Sequence, residues 1–286
     1  MLLALDTATR LISIALHDGQ ALVAESTWQA GPYHTVELAP QVALMLRRAE
    51  VEPAQLRGVA VALGPGSYTG LRIGLGFAKG LALAHALPLA GVPTLDILMR
   101  AQPPRAERAL ALLQAGRGRV SAGAYQWRAR SLRWEAAGEA RVLEWAALAA
   151  ELSGAQTPVY MVGEIDAAGA ELLRPLRGRV LLASPAQSLR RAGYLAELGW
   201  ERLRSAPDDA MRLAPIYGGQ PSGIEPATAS ATPPTAAPPT AAPPTAAPPT
   251  AAPPAPPEPA EITPSAAATE AEAPAPTAPE ASHVQS

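Results

Sequence analysis

The first part of the chain alternates between short apolar runs and longer stretches whose apolar positions recur every three or four residues. Leu2 to Leu5 is a continuous apolar run and predicts a buried strand. Ile12 to Leu16 and Ala21 to Trp28 predict a second and a third, with a hairpin turn at Asp18-Gly19. From Thr35 to Glu50 the spacing changes. Val36, Leu38, Ala39, Val42, Ala43 and Leu46 form the stripe of a helix, and Arg47-Arg48 sit near its C-terminal end, where the dipole favours cations. Val59 to Leu63 predicts a strand, Leu71 to Ala86 a helix of small residues, and Leu87 to Gly91 another strand. The second half repeats the theme in weaker form. Ala109 to Leu113, Arg119 to Trp127 and Ser131 to Val142 predict strands around turns at Ala115-Gly116 and Arg130-Ser131. Leu143 to Leu152 predicts a short helix, Val159 to Val162 and Val180 to Ala183 two strands, and Gln187 to Arg204 a closing amphipathic helix. Strands and helices in this order give an α/β protein with mixed sheets.

Periodicity stops near Pro221. Beyond it the chain is Ala, Pro, Thr and Glu, with Thr-Ala-Ala-Pro-Pro repeated from Thr235 through Thr250. Ile224, Ile262 and Val284 are its large apolar residues, too few to offset the entropy of ordering, and paired prolines favour extended polyproline II. Residues 219–286 are therefore expected to be a disordered, solvated tail. The tail also changes the charge picture. It carries Glu225, Glu258, Glu261, Glu270, Glu272 and Glu280 and no Lys or Arg, so a formal net charge of −2 overall leaves +4 on the body. That is well short of a dedicated nucleic-acid binder. Arg105, Arg108, Arg117, Arg119, Arg128, Arg130 and Arg133 crowd one stretch, which reads as a solvated face, with an RNA-facing patch as the alternative.

Composition excludes some chemistry. Without cysteine there is neither a disulfide nor a thiolate metal site. The four histidines, His17, His34, His85 and His283, form no pair at zinc-hydrolase spacing, so no metal site is expected. Leu2 to Leu5 is too short for the apolar core of a signal peptide, and no stretch is long enough to span a bilayer, so a cytoplasmic, membrane-free protein is expected.

The candidate chemistry lies in Gly64-Pro65-Gly66-Ser67-Tyr68-Thr69-Gly70-Leu71-Arg72-Ile73-Gly74, between a strand and a helix start. Glycines there allow close backbone approach, and the helix N-terminus offers unpaired N–H groups to an anion. A plain strand–turn–helix connection is the alternative. Asp6-Thr7, at the end of the first strand, would face the same cleft, so Asp6, Thr7, Gly64, Gly66, Ser67, Thr69 and Gly70 are the candidate nucleotide or anion loop. Phosphoryl transfer would need more: a second acid, a cation on the phosphates and an adenosine-binding turn. Gly163-Glu164 is the candidate for such a turn, and the chain's lysine, Lys79, stands in no Walker-type motif.

Six segments stand together: Leu2-Leu3-Ala4-Leu5-Asp6-Thr7-Ala8-Thr9, His34-Thr35 with Leu38 and Pro40, the glycine string, Phe77-Ala78-Lys79-Gly80-Leu81-Ala82, Gly91-Val92-Pro93-Thr94-Leu95 and a closing Pro215-Ile216-Tyr217. Together they resemble the TsaB family of bacterial proteins that help to make threonylcarbamoyladenosine in transfer RNA. The match is dense to about Arg100, thin to about Gly218 and absent afterwards. Two departures stand out: Gln114-Ala115-Gly116-Arg117 where relatives carry Asp-Ala-Arg, and Gly218-Gly219 where Leu-Arg usually follows the tyrosine.

The resemblance implies an actin/hexokinase/Hsp70-like (ASKHA) fold. Its first lobe would cover residues 1–100 with a returning helix at 187–204, and its reduced second lobe residues 101–186. It also implies a non-catalytic scaffold that dimerises with the paralogue TsaD in the complex transferring a threonylcarbamoyl group to the adenosine beside the anticodon. A TsaE-like ATPase and ATP would join the complex, tRNA would be met indirectly, and the chain alone would form a homodimer. TsaD carries a metal-holding histidine pair. Here His34 is followed four residues later by Leu38, which supports a chain with no catalytic residues and no cofactor of its own. Gly74, Gly76, Ala78, Gly80 and Ala82 leave little bulk on the second helix, where each glycine costs roughly 1 kcal/mol. The expected partner surface is Leu71, Gly74, Leu75 and Ala78 with Val42 and Leu46; internal packing is the alternative. The rival function is an independent ATP-hydrolysing or phosphotransferring enzyme using Asp6, Ser67 and Thr69. A glycoprotease has little support, because no nucleophile–base pair can be assembled.

Overall fold

The computed structural model describes residues 1–30 and 34–217, except for the side chains of residues 34–36. The predicted tail (219–286), Gly218-Gly219 and the side chains of His34 and Thr35 lie outside the described residues.

The first sheet is built from β1 (Leu2–Asp6), β2 (Leu11–His17), β3 (Leu22–Gln29), β4 (Gly58–Gly64) and β5 (Leu89–Pro93), in the order β3-β2-β1-β4-β5. β2 runs antiparallel to β1 and β3, while β1, β4 and β5 are parallel. Alternation along the strands sorts residues by size. Leu3, Leu5, Val59, Val61 and Leu63 face one cluster, which α1 (His34–Arg48) and α2 (Tyr68–His85) cover with Leu38, Val42, Met45, Leu46, Leu75 and Ala78. Ala4, Ala15, Ala60, Ala62 and Ala90 face the other side. The small face lets α6 (Ala192–Ser205) approach closely: a Cβ on Gly199 would stand 2.5 Å from the Cβ of Ala60.

The second sheet contains β6 (Arg108–Gln114), β7 (Arg119–Arg128), β8 (Arg133–Ala136), β9 (Arg141–Glu144), β10 (Val159–Gly163) and β11 (Val180–Leu182), in the order β11-β10-β6-β7-β8, with β9 also pairing β7. The predicted strand from Ser131 to Val142 is thus two. β8 pairs Tyr125–Arg128 and β9 pairs Arg119–Ala122 along one edge of β7. Between them the chain swings out through Gly138, whose φ of +145° suits glycine. Leu143 and Glu144 consequently belong to β9, and α4 (Trp145–Ser153) starts at Trp145. α3 (Thr94–Arg100) links the two sheets, and α5 (Ala167–Leu173) packs Gly169 against the ring of Trp145.

The other boundary differences have local causes. α2 begins at Tyr68, three residues early, because the Ser67 hydroxyl caps it by accepting from Gly70 N. α6 begins at Ala192 and not at Gln187. Its first N–H groups are satisfied from the first sheet, Ala192 N donating to Ser13 Oγ and Gly193 N to Glu25. Residues 208–217 then run back along the first sheet, with Asp208 N donating to Leu89 O and Ile216 N to Leu63 O. Among the described residues, no helix is long and apolar enough to cross a membrane.

Candidate functional site

The end of β1 meets the glycine loop before α2, as the sequence suggested, but the junction is tightly closed. Ser67 N donates to Ala8 O at 2.6 Å, and Thr7 Oγ1 donates to Gly70 O at 2.7 Å. Gly64 N donates to Thr94 Oγ1, and at φ +119° its missing Cβ would lie 2.2 Å from Ile216 O. Cβ atoms on Gly66 and Gly70 would lie 2.3 and 2.2 Å from the carbonyl oxygens of Ala8 and Thr7. The glycines therefore let the loop backbone lie on the β1 turn, a close approach within the chain itself. Ser67 and Thr69 are exposed at the start of α2, with the Ser67 hydroxyl engaged in its cap.

Asp6 is not an open acid facing a cleft. Its side chain is fully buried and both oxygens are engaged: Oδ1 accepts from Ala8 N at 2.9 Å, and Oδ2 accepts from Arg190 Nε at 3.0 Å. Arg190 is itself 1% exposed. One nitrogen of its guanidinium donates to Glu164 Oε1 at 2.8 Å, and another to Thr9 Oγ1 and Leu11 O. Burial alone would lower the arginine's pKa, but the carboxylates of Asp6 and Glu164 outweigh it and hold the guanidinium charged. Glu164 Oε2 also accepts from Gln114 N, and Gly163 N donates to Ser188 Oγ. So Asp6, at the end of β1, and Gly163-Glu164, after β10, meet through a side chain of the 184–191 loop. The sequence did not single out Arg190; an arginine followed at once by Arg191 reads as surface charge.

The predicted partner residues are also placed differently. Val42, Leu46, Leu71, Leu75 and Ala78 are core residues, and Gly74 is buried against Thr7, where a Cβ would stand 2.2 Å from Oγ1. The small residues of α2 fall on two faces. Gly74, Ala78 and Ala82 point inward, whereas Gly76 and Gly80 have nothing within 4 Å of a built Cβ. Residues 74 and 76 differ by about 200° around a helix, so no single face can hold both. The outward stripe is Thr69, Arg72, Gly76, Gly80 and Leu83, flanked by half-buried Ile73 and Phe77. Beside it α1 exposes Ala39, Ala43 and Arg47.

Two lobes, each a mixed sheet with flanking helices, linked by α3 and bridged by Arg190, have the ASKHA class of fold. Comparison with known proteins narrows this. Residues 28–166 match the family model described as TsaD: tRNA N6-adenosine threonylcarbamoyltransferase. The tRNA threonylcarbamoyladenosine biosynthesis protein TsaB of Bacillus subtilis is 29% identical over 218 residues, covering 76% of this chain and 93% of that protein. The Escherichia coli protein of the same name is 37% identical over 129 residues, 44% of this chain and 54% of its own length. A crystal structure of a Pseudomonas aeruginosa protein with similarity to peptidase YEAZ superposes with a TM-score of 0.61 at 29% identity, covering 76% of this chain and 98% of that one. By these measures the chain is similar to the TsaB (YeaZ-like) proteins over 76% of its length.

Proposed function

We propose that this protein serves threonylcarbamoyladenosine biosynthesis as a non-catalytic subunit that pairs with a TsaD-like paralogue. Its likeness to the tRNA threonylcarbamoyladenosine biosynthesis protein over 93% of the Bacillus subtilis chain carries the reading. The family-model match over residues 28–166, which spans parts of both lobes, supports a partner related to this chain. The non-catalytic part of the proposal rests on Arg190, which occupies both carboxylates an ASKHA enzyme would turn toward a nucleotide or metal. A TsaE-like ATPase and ATP belong to the working complex in this reading, and tRNA is reached through the partner.

The partner face is proposed to be the outward stripe of α2 with the neighbouring exposed positions of α1. Two open glycines on an exposed helix face cost helix stability, and close approach of a second backbone would compensate. The test is light scattering on the protein alone and mixed with the TsaD-like paralogue of the same organism, for wild type, Gly76→Arg and Gly80→Arg. The wild type is expected to be a homodimer alone and a heterodimer when mixed. Both variants are expected to keep the wild-type circular dichroism and to associate with neither. A wild type indifferent to the paralogue overturns the proposal.

A further inference from the structure

A cleft of about 450 Å³ opens between α3 and α6 on one side and the β7–β8 hairpin on the other, well away from the glycine loop. Asp96, in the first turn of α3, lies in it. Its Oδ1 accepts from the Tyr125 hydroxyl at 2.7 Å, while Oδ2 accepts no hydrogen bond within the described residues. Trp127 and Trp134 form the hairpin wall, edge to face with ring centroids 5.9 Å apart, and Trp134 is fixed by donating to Gln102 O. The cations nearby are already answered. Arg100 pairs with Glu197 at 2.9 Å and Glu201 at 2.8 Å, Arg133 pairs with Glu135, and Arg202, whose charge also reaches Asp96, lies 4.0 Å from Asp208. What remains is one carboxylate oxygen that accepts no hydrogen bond among the described residues, in a cleft of ligand-binding size that two indole rings also line.

We propose that this cleft binds an organic cation, a guanidinium or alkylammonium group, held by Asp96 Oδ2 and the faces of Trp127 and Trp134. A carboxylate together with aromatic faces is the combination that favours such cations, since ring quadrupole and charge act in the same direction. An anion is disfavoured, because Asp96 would repel it and the Arg100 guanidinium is engaged by two glutamates. Burial raises the pKa of the Asp96 carboxyl, against the opposing Tyr125 hydrogen bond and the more distant charge of Arg202. Because α6 packs on the first sheet, the hairpin belongs to the second and α3 links the two, an occupant would touch both lobes.

The experiment is titration of the full-length protein with agmatine, followed by tryptophan fluorescence, in wild type, Asp96→Asn and Trp127→Phe. Saturable quenching in the wild type is expected, weakened by about tenfold or more in Asp96→Asn at unchanged fold. Trp127→Phe retains an aromatic face and is expected to bind with a reduced signal change. A blocked glycyl-arginyl-glycine peptide is titrated in parallel. Tighter binding of the peptide assigns the cation to a protein side chain, and tighter binding of agmatine to a small molecule; both support the site. No saturation by either ligand below ~10 mM, or equal affinity in Asp96→Asn, overturns it.

Discussion

Arg190 has the most to lose from a small change. It is a buried cation whose partners come from two other parts of the chain, Asp6 and Thr9 around the β1 turn and Glu164 after β10. Removing one member of such a pair leaves a charge buried without compensation, which typically costs ~3–5 kcal/mol. Arg190→Met is therefore expected to lower unfolding stability by that order in urea denaturation. Arg190→Lys should lose only part of it, since one ammonium cannot span three acceptors. Asp96 predicts the opposite sign. Its folded pKa is raised, so the folded chain holds the proton over a pH window in which the unfolded chain has released it. The stability contributed by the neutral form is lost as pH rises through that raised value. Asp96→Asn keeps an acceptor for Tyr125 and removes the charge. It should melt above the wild type at neutral pH and coincide with it below about pH 4, checked by thermal scans across pH. The sequence marked Asp6 as important but not what it meets. Its partner lies 184 positions away, and no local pattern distinguishes a buried arginine from an exposed one.

At the scale of elements, α2 shows why the small residues could be read and their faces could not. Composition revealed an unusual number of glycines, but assigning the buried side requires knowing that Thr7 lies beneath Gly74. The two classes should separate on substitution by alanine. Gly74→Ala has to displace a Thr7 hydroxyl already bonded to Gly70 O, and a crowded site of this kind costs ~1–3 kcal/mol. Gly76→Ala and Gly80→Ala meet open space and should each stabilise the isolated chain by ~0.5–1 kcal/mol through helix propensity. Chemical denaturation of the three variants under conditions that keep the chain monomeric measures both. The strands were legible because their apolar runs are continuous. The division of β8 from β9 was not, since Glu135 to Val142 keeps a polar–apolar mixture across the break and the gap is fixed by pairing with β7. α5 escaped notice for a different reason: at seven residues it depends on its Asp166 cap and on Trp145, not on periodicity.

For the whole molecule, the decisive question is whether the two lobes still enclose a nucleotide site. The elements that the sequence offered to phosphate, the β1 turn, the glycine loop and Gly163-Glu164, are engaged within the chain itself. The β1 turn lies on the glycine loop, and Arg190 joins Asp6 to Glu164 across the lobes. A nucleotide would have to break that buried network before gaining anything, and the isolated chain is therefore expected to ignore ATP. Ligand binding to the folded state raises stability by RT ln(1 + [L]/Kd), so ~1 mM Mg·ATP at a site with Kd near ~10 µM would add ~2.7 kcal/mol. For a folded body of this size such a gain moves Tm by roughly 5–10 °C, easily seen in a thermal scan. No shift is expected for the chain alone. A shift that appears only in the mixture with the TsaD-like paralogue would assign the nucleotide to the complex. A shift in the isolated wild type that disappears in Asp6→Asn would mean that Arg190 gives way to nucleotide, and the function would have to be sought in hydrolysis by this chain.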